Sequence, residues 1–310
     1  MLTEPAAEQE ARARSAAEQR EFERAAVAAH YEHDPRIFSM VLDQGLAYAT
    51  AIYKDASEDL EIAQQRKYRY IRELLQIAAG EKVLDIGCGW GSNLLYLAGN
   101  TDGVFHGITL SAQQRDELLR RASARGLASR VRVDVCHVED LDIASESVDA
   151  VLFSGSIVHM RNREEIHRWV SRVLRPCGRL LISDCYYPAE LRGDRASDAT
   201  DYIFYETLGY CLLLNLHQEL AFIEQSGLDV CHVQDLTTSY ARTLAAWIDN
   251  VRRNRDAING LAPGFATVLQ AYMTVAQMSF ARRTALEYMI LAVKGQSTTD
   301  RHVWRMAEGI

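Results

Sequence analysis

The residues most able to do chemistry in this 310-residue chain are Val83-Leu84-Asp85-Ile86-Gly87-Cys88-Gly89-Trp90-Gly91. An apolar run that ends in glycines reads as a buried strand entering a tight turn, where small residues let the backbone approach a ligand. The spacing is GxGxG, not the GxGxxG of dinucleotide sites. No acidic residue closes the next apolar stretch, Ile108-Thr109-Leu110-Ser111, where a dinucleotide enzyme holds ribose. Asp85 stands at the strand end, before the glycines, so its carboxylate can brace the turn and face a cationic ligand. A side chain at Gly87 is expected to enter that ligand's space. The competing readings are a turn kept for packing alone and a nicotinamide or flavin site.

Three further residues fall where a reaction can use them. His159 follows a fourth predicted strand, at the edge where open α/β sheets bind ligands. An imidazole titrating at about 6.5 suits proton removal at neutral pH; the plainer reading is a structural histidine bonded to a backbone carbonyl. Asp184 ends a fifth strand near the same edge, as a functional carboxylate or a strand-end cap. Tyr240 offers a phenol to orient substrate, or a ring for packing. The nine histidines show no HxxxH or HExxH, and the six cysteines form no CxxC. No metal site is expected, and the cysteines read as free thiols.

The elements that must position these groups follow from the hydrophobic pattern. Residues 58–77 show helical spacing. Strands are predicted at Lys82–Gly87, Gly103–Thr109, Val131–Val135, Val148–Phe153 and Gly178–Asp184. Helices fall at Ser92–Ala98, Ala112–Arg125 and Arg163–Leu174. This alternation implies a mostly parallel sheet with helices on both faces. A largely helical stretch over 188–225 precedes two more strands, Leu228–Leu236 and Ala285–Val293, with helices Ala241–Asn254 and Thr267–Thr284 between them. Residues 6–29, rich in Ala, Glu, Gln and Arg, form a helix that is solvated or packs on a partner subunit or over the site.

Composition bounds the rest. Net charge is −8, with 48% hydrophobic and 25% charged residues. That argues against a nucleic-acid binder driven by bulk charge. No apolar run reaches the roughly 18 residues needed to span a bilayer, so no integral membrane association is expected. The N-terminus lacks the apolar core of a secretory signal, which makes the cytoplasm the default compartment.

Together, Val83–Gly91 resembles the first motif of class I S-adenosylmethionine methyltransferases. Gly107-Ile-Thr-Leu-Ser-Ala-Gln-Gln resembles the second motif of the cyclopropane fatty acid synthase and mycolic acid methyltransferase group. His30-Tyr31-Glu-His-Asp-Pro and Leu42-Asp-Gln-Gly-Leu-Ala-Tyr48-Ala-Thr50-Ala51 are similar to its N-terminal segment, and Ser239-Tyr240-Ala-Arg-Thr-Leu-Ala-Ala-Trp247 to its C-terminal signature. The similarity runs from about residue 29 to residue 294.

The resemblance implies S-adenosylmethionine as cofactor. It implies that Thr109, Leu110 and Gln114 contact it and that Tyr48 covers it. Asp85, Gly87 and Gly89 would surround its methionyl amino group and ribose. Glu139 would lie near the adenine and Ser154 near the methionine part. On residues alone, Glu139 is simply an exposed carboxylate in an acidic loop. The implied fold is α/β: a Rossmann-like, doubly wound, seven-stranded, mostly parallel sheet with an N-terminal helical lid and a helical insertion after strand 5. Its divisions are 1–75 (lid), 76–187 (cofactor-binding core), 188–225 (insertion walling the acceptor pocket), 226–295 (rest of the core) and 296–310 (tail).

The chain departs from the group at one point. Members hold a bicarbonate ion for cyclopropanation with a cysteine, a glutamate, a histidine and a tyrosine. The matching positions here are Thr50, Val158, Ser183 and Tyr240, so only the tyrosine remains. Valine offers no hydrogen bond, so bicarbonate-assisted ring closure is not expected, whereas methyl transfer itself does not need that ion. The insertion, Tyr202-Ile-Phe-Tyr-Glu-Thr-Leu-Gly-Tyr-Cys-Leu-Leu-Leu-Asn-Leu, is apolar with one carboxylate, Glu206. Thr50, Val158, Tyr187, Tyr205, Glu206 and His217 are the expected pocket residues. The expected partner is a hydrophobic or aromatic small molecule, with His159, Tyr240 and Asp184 as catalytic candidates. Carbon methylation in specialised metabolism is the leading expectation; nitrogen or oxygen methylation, and a cofactor-binding cyclase or non-catalytic relative, are the alternatives. Homo-oligomers through the N-terminal helix are also expected.

Overall fold

The computed structural model describes residues 34–55, 57–189 and 211–295, with Glu18, Glu21 and Ala25 in addition. In chain order the elements are α1 (Pro35–Val41), α2 (Leu60–Leu75), β1 (Lys82–Ile86), α3 (Ser92–Asn100), β2 (Val104–Thr109), α4 (Ala112–Ala124), β3 (Val131–Val135), β4 (Val148–Ser154), α5 (Arg163–Val173), β5 (Leu174–Tyr186), α6 (Leu216–Gln225), β6 (Leu228–Asp235), α7 (Thr237–Arg253), α8 (Arg255–Leu261), α9 (Phe265–Ala281) and β7 (Leu286–Lys294).

The strands form one seven-stranded sheet in the order β3-β2-β1-β4-β5-β7-β6. β1 to β5 pair in parallel, and β7 runs antiparallel between β5 and β6. The order reverses between β1 and β4. Their C-terminal ends therefore lie side by side with no crossover above them, which is where such sheets bind ligands.

Alternation along the strands divides the core. Val83, Phe105, Leu152 and Leu181 pack with Ile71, Leu95 and Leu118 on one face. Leu84, Val151, Phe153 and Ile182 pack with Ile166, Val170 and Ile223 on the other. Both faces are covered, which is why β1 and β4 read as almost unbroken apolar runs. A third cluster joins α1, α7 and α9 through Phe38, Leu244, Trp247 and Met273, and it reaches Trp90 in the glycine turn.

Several elements differ from the sequence expectation. β5 begins at Leu174, because Leu174 pairs with Val148 before a register shift brings Arg179 opposite Ala150. The intervening Arg-Pro-Cys-Gly hides the pairing in sequence. α7 begins at Thr237, where the Asp235 carboxylate accepts from the Thr237 amide at 2.8 Å. α8 was not anticipated. Residues 211–214 are not helical; they lie against the sheet edge, with Leu212 N donating to Val158 O at 2.7 Å and Tyr187 N to Leu214 O at 2.8 Å. The helix starts only at Leu216, where Asn215 and Gln218 form a capping box. The expected N-terminal helix, most of the insertion including Tyr205 and Glu206, and the tail lie outside the described residues. Among the described residues, no helix is long and apolar enough to cross a membrane.

Candidate active site

The glycine turn is fastened to the end of β2: the Gly87 and Cys88 amides both donate to Ile108 O, at 2.8 and 2.9 Å. Gly87, Gly89 and Gly91 have φ of +73°, +52° and +80°, a region that disfavours side chains. A Cβ at Gly87 would lie 2.4 Å from the Ser156 Cβ. Gly87 is therefore required by Ser156, whose hydroxyl donates to Ile86 O at 2.6 Å and ties the loop after β4 to β1. At Gly89 a Cβ would meet nothing within 4 Å, so this part of the turn is open.

Asp85 is 3% exposed. Burial pushes its carboxyl up to about 7, against the pull of the Lys67 ammonium. Lys67, from α2, is fully buried, and its Nζ has no hydrogen-bond partner. Burial lowers it to about 8, while Asp43, Glu287 and Asp85 act in the opposite direction. The sequence reading missed Lys67 because a lysine in a charged helix normally marks the solvated face.

Beside the turn, Thr109 Oγ1 donates to Gln114 Oε1 at 2.6 Å and accepts from Ser111 N at 3.2 Å. Both Thr109 and Gln114 are buried, and Leu110 is half-buried. Ser154 Oγ, at the tip of β4, is buried without a partner. Glu139 is exposed on a 3-10 turn and accepts from Asn162 Nδ2 at 3.1 Å.

Tyr48 comes from a loop held by Asp43, which accepts from Gly45 N, Ala47 N and the Tyr68 hydroxyl at 2.7–2.9 Å. Its ring stacks on Trp247 at 5.2 Å. Thr50, almost fully buried, donates to Ala51 O at 3.0 Å. Tyr240 packs 4.5 Å from Phe280 and edge-on to Trp247.

At the end of β5, Asp184 is buried, and burial pushes its carboxyl up. Its oxygens accept from Val158 N at 3.2 Å and Cys185 N at 2.8 Å, so it pins the turn that carries His159. His159 Nδ1 lies 3.6 Å from Cys211 Sγ. Val158 is buried and Tyr187 half-buried at this edge. His217 is exposed on α6. A separate groove of about 880 Å³ between α1, α2 and α7 is lined by none of the candidate residues.

A buried carboxylate that the sequence reading missed, Glu287, also comes to this edge from β7. Its one signal is a lone acid inside the apolar run Leu286-Glu-Tyr-Met-Ile-Leu-Ala-Val.

The reversed strand order, the antiparallel β7 and the glycine turn closed against β2 define the Rossmann-like fold of S-adenosylmethionine-dependent methyltransferases. The family model described as mycolic acid cyclopropane synthetase matches residues 18–288, and the chain belongs to that family. A probable fatty acid methyltransferase of Mycobacterium tuberculosis is 31% identical over 87% of this chain, which spans 62% of that relative. The 27-O-demethylrifamycin SV methyltransferase of Amycolatopsis mediterranei is 27% identical over 83% of this chain and 93% of its own length. The cyclopropane synthase MmaA2 of Mycobacterium tuberculosis has the same fold, with a TM-score of 0.81 at 21% identity over 87% of this chain and 98% of that one.

Proposed function

We propose that this chain transfers a methyl group from S-adenosylmethionine to a carbon of a hydrophobic or aromatic small molecule in specialised metabolism. The observation that carries this reading is the aromatic wall of Tyr48, Trp247, Tyr240 and Phe280 beside the end of β5, with both tyrosines only half-buried. The faces of such rings favour a cation developing on an alkene or aryl acceptor. Thr50, Val158 and Ser183 offer neither carboxylate nor imidazole for ring closure.

The residues fit the cofactor. Gly89 leaves an open cradle, and the Ser154 hydroxyl lacks a partner. Asp85, Thr109, Leu110, Gln114, Glu139 and Tyr48 would complete the hold. When bound, the cofactor supplies a methyl group on a positively charged sulfur. The chain's part is to align donor and acceptor and to exclude water, which supplies most of the acceleration in such displacements. Asp85 answers the positive charge, and the aromatic wall closes the acceptor side.

The test is incubation of the chain with a deuteriomethyl form of the cofactor and two acceptor sets, oleoyl phospholipid vesicles and aromatic metabolite extracts. An acid-stable C–CD3 product is expected. An N- or O-linked label would reject carbon methylation, and the rifamycin relative makes oxygen the reading to compare. Product formed without S-adenosylhomocysteine would indicate a cyclase, and stimulation by bicarbonate would restore ring closure. His159→Ala is expected to lower kcat about tenfold or more while cofactor Kd stays within twofold, as loss of a group that orients the acceptor beside the loop after β4. Equal kinetics would remove His159 from the site.

A further inference from the structure

β7 carries a carboxylate into the sheet edge from far along the chain. Glu287 faces Cys185 in the antiparallel register and is 3% exposed. It accepts from the Ser183 hydroxyl at 2.9 Å and from the Cys185 thiol at 3.2 Å. Its own backbone is pinned: Glu287 N donates to Thr237 Oγ1 at 3.1 Å, and Glu287 O accepts from Leu236 N at 2.8 Å.

The charged and titratable groups that face it are Asp184, Cys185 and Tyr186 from β5, Lys67 from α2 and Tyr240 from α7. None of these gives Glu287 an ion pair, and Lys67 Nζ makes no hydrogen bond to it. Burying a carboxyl without a paired cation costs stability, and an apolar side chain would fill the space more favourably. Folding alone therefore does not account for it. Cys185, whose thiol bonds Glu287, and Tyr240, whose phenol faces it, are both half-buried, and they separate Glu287 from the proposed acceptor wall.

We propose that Glu287 accepts the proton that the acceptor loses on methylation, with Ser183 and Cys185 as the donors that position its carboxylate. The assignment rests on the methyltransferase reading above. In the proton step the bond from hydrogen to the acceptor breaks, its electron pair stays with the acceptor and cancels the cation there, the proton bonds to Cys185 Sγ, and the thiol's own proton passes along its hydrogen bond to form an O–H bond on Glu287. Charge coupling times the step. Burial, with Asp184 beside it, pushes the carboxyl up to about 8, so it is mostly protonated at neutral pH in the ligand-free chain. The cofactor's sulfonium charge, brought to the acceptor wall in front of Glu287, favours the ionised form, its proton passing to water, and loss of that charge with the methyl group restores the proton affinity.

Infrared difference spectra of the full chain at neutral pH test this without turnover. Adding S-adenosylmethionine is expected to remove a protonated-carboxyl carbonyl band that adding uncharged-sulfur S-adenosylhomocysteine leaves in place. Glu287→Gln is expected to lose that change while both ligands bind with affinity within twofold by calorimetry. Ser183→Ala keeps the carboxylate and removes a donor to its charged form, so the band's titration should move to higher pH. It serves if the glutamine variant misfolds. On an acceptor labelled in the deuteriomethyl assay, Glu287→Gln should lower kcat about 100-fold with little change in KM. Full band loss in Glu287→Gln, or unchanged kcat, overturns the proposal and leaves the methyltransferase reading standing. Failure of the unaltered chain to bind either ligand overturns both.

Discussion

Gly87→Val is expected to abolish cofactor binding and to destabilise the chain by about 3 kcal/mol, whereas Gly89→Ala should weaken binding with little loss of stability. The difference lies in what each new Cβ meets. At Gly87 it collides with the Ser156 Cβ at 2.4 Å, and φ is +73°. Ser156 cannot yield cheaply, because its hydroxyl bonds Ile86 O and the turn amides bond Ile108 O. The loop after β4, the turn and β2 would shift together, so a melting curve and a calorimetric titration with S-adenosylhomocysteine should both change. At Gly89 the Cβ projects into open space. The folded chain then bears only left-handed strain, about 1 kcal/mol, while the ligand meets a methyl group. Wild-type affinity in Gly89→Ala would show that the cradle lies elsewhere.

Glu219→Ala should cost about 3–5 kcal/mol, as removal of one partner from a buried ion pair does. Glu219 is fully buried on α6 and is bonded by Arg163 and by His167 Nε2, the latter at 2.7 Å. Arg163 is 2% exposed and also donates to Leu212 O at 2.8 Å and Met160 O at 3.0 Å. Without the carboxylate a guanidinium stays buried and uncompensated, and the clamp joining α5, α6 and the 211–214 segment loosens. That segment borders Val158 and Tyr187, so acceptor KM should rise while cofactor Kd holds.

The same carboxyl sets an acid limit. Burial pushes it up, but the Arg163 charge and the His167 bond outweigh burial and leave it below its usual value. Its contribution is then fully present above the unfolded pKa of about 4.3 and is lost as pH falls through the lower folded value. Melting temperature against pH should fall in acid for the wild type and less steeply for Glu219→Ala. Parallel curves would show that the ion pair does not set the limit.

Much of the frame was legible in sequence for a local reason. β1, β2 and β4 are short apolar runs ending at glycine or polar residues, and burial on both faces produces that pattern without help from distant residues. The sheet type followed from the alternation of strands with helices, and the Asp85-to-Gly91 turn marked the ligand end. His217 shows what local reading leaves open. It adjoins an apolar stretch, yet it lies two positions before Glu219, about 200° around the helix. α6 turns Glu219 and Ile223 inward and leaves His217 in solvent.

By itself the sequence determined which strands form, where the ligand edge lies and which family motifs occupy it, because strand burial and glycine turns are written in adjacent residues. Only the tertiary structure decided what stands next to those motifs. Ser156 fills the space at Gly87, Lys67 is driven inside among three carboxyls, and β7 carries Glu287 to Ser183 across 104 positions of chain. Those neighbours are set by strand order and antiparallel register, which are properties of the packed sheet. They fix the proton affinities on which the proposed chemistry depends.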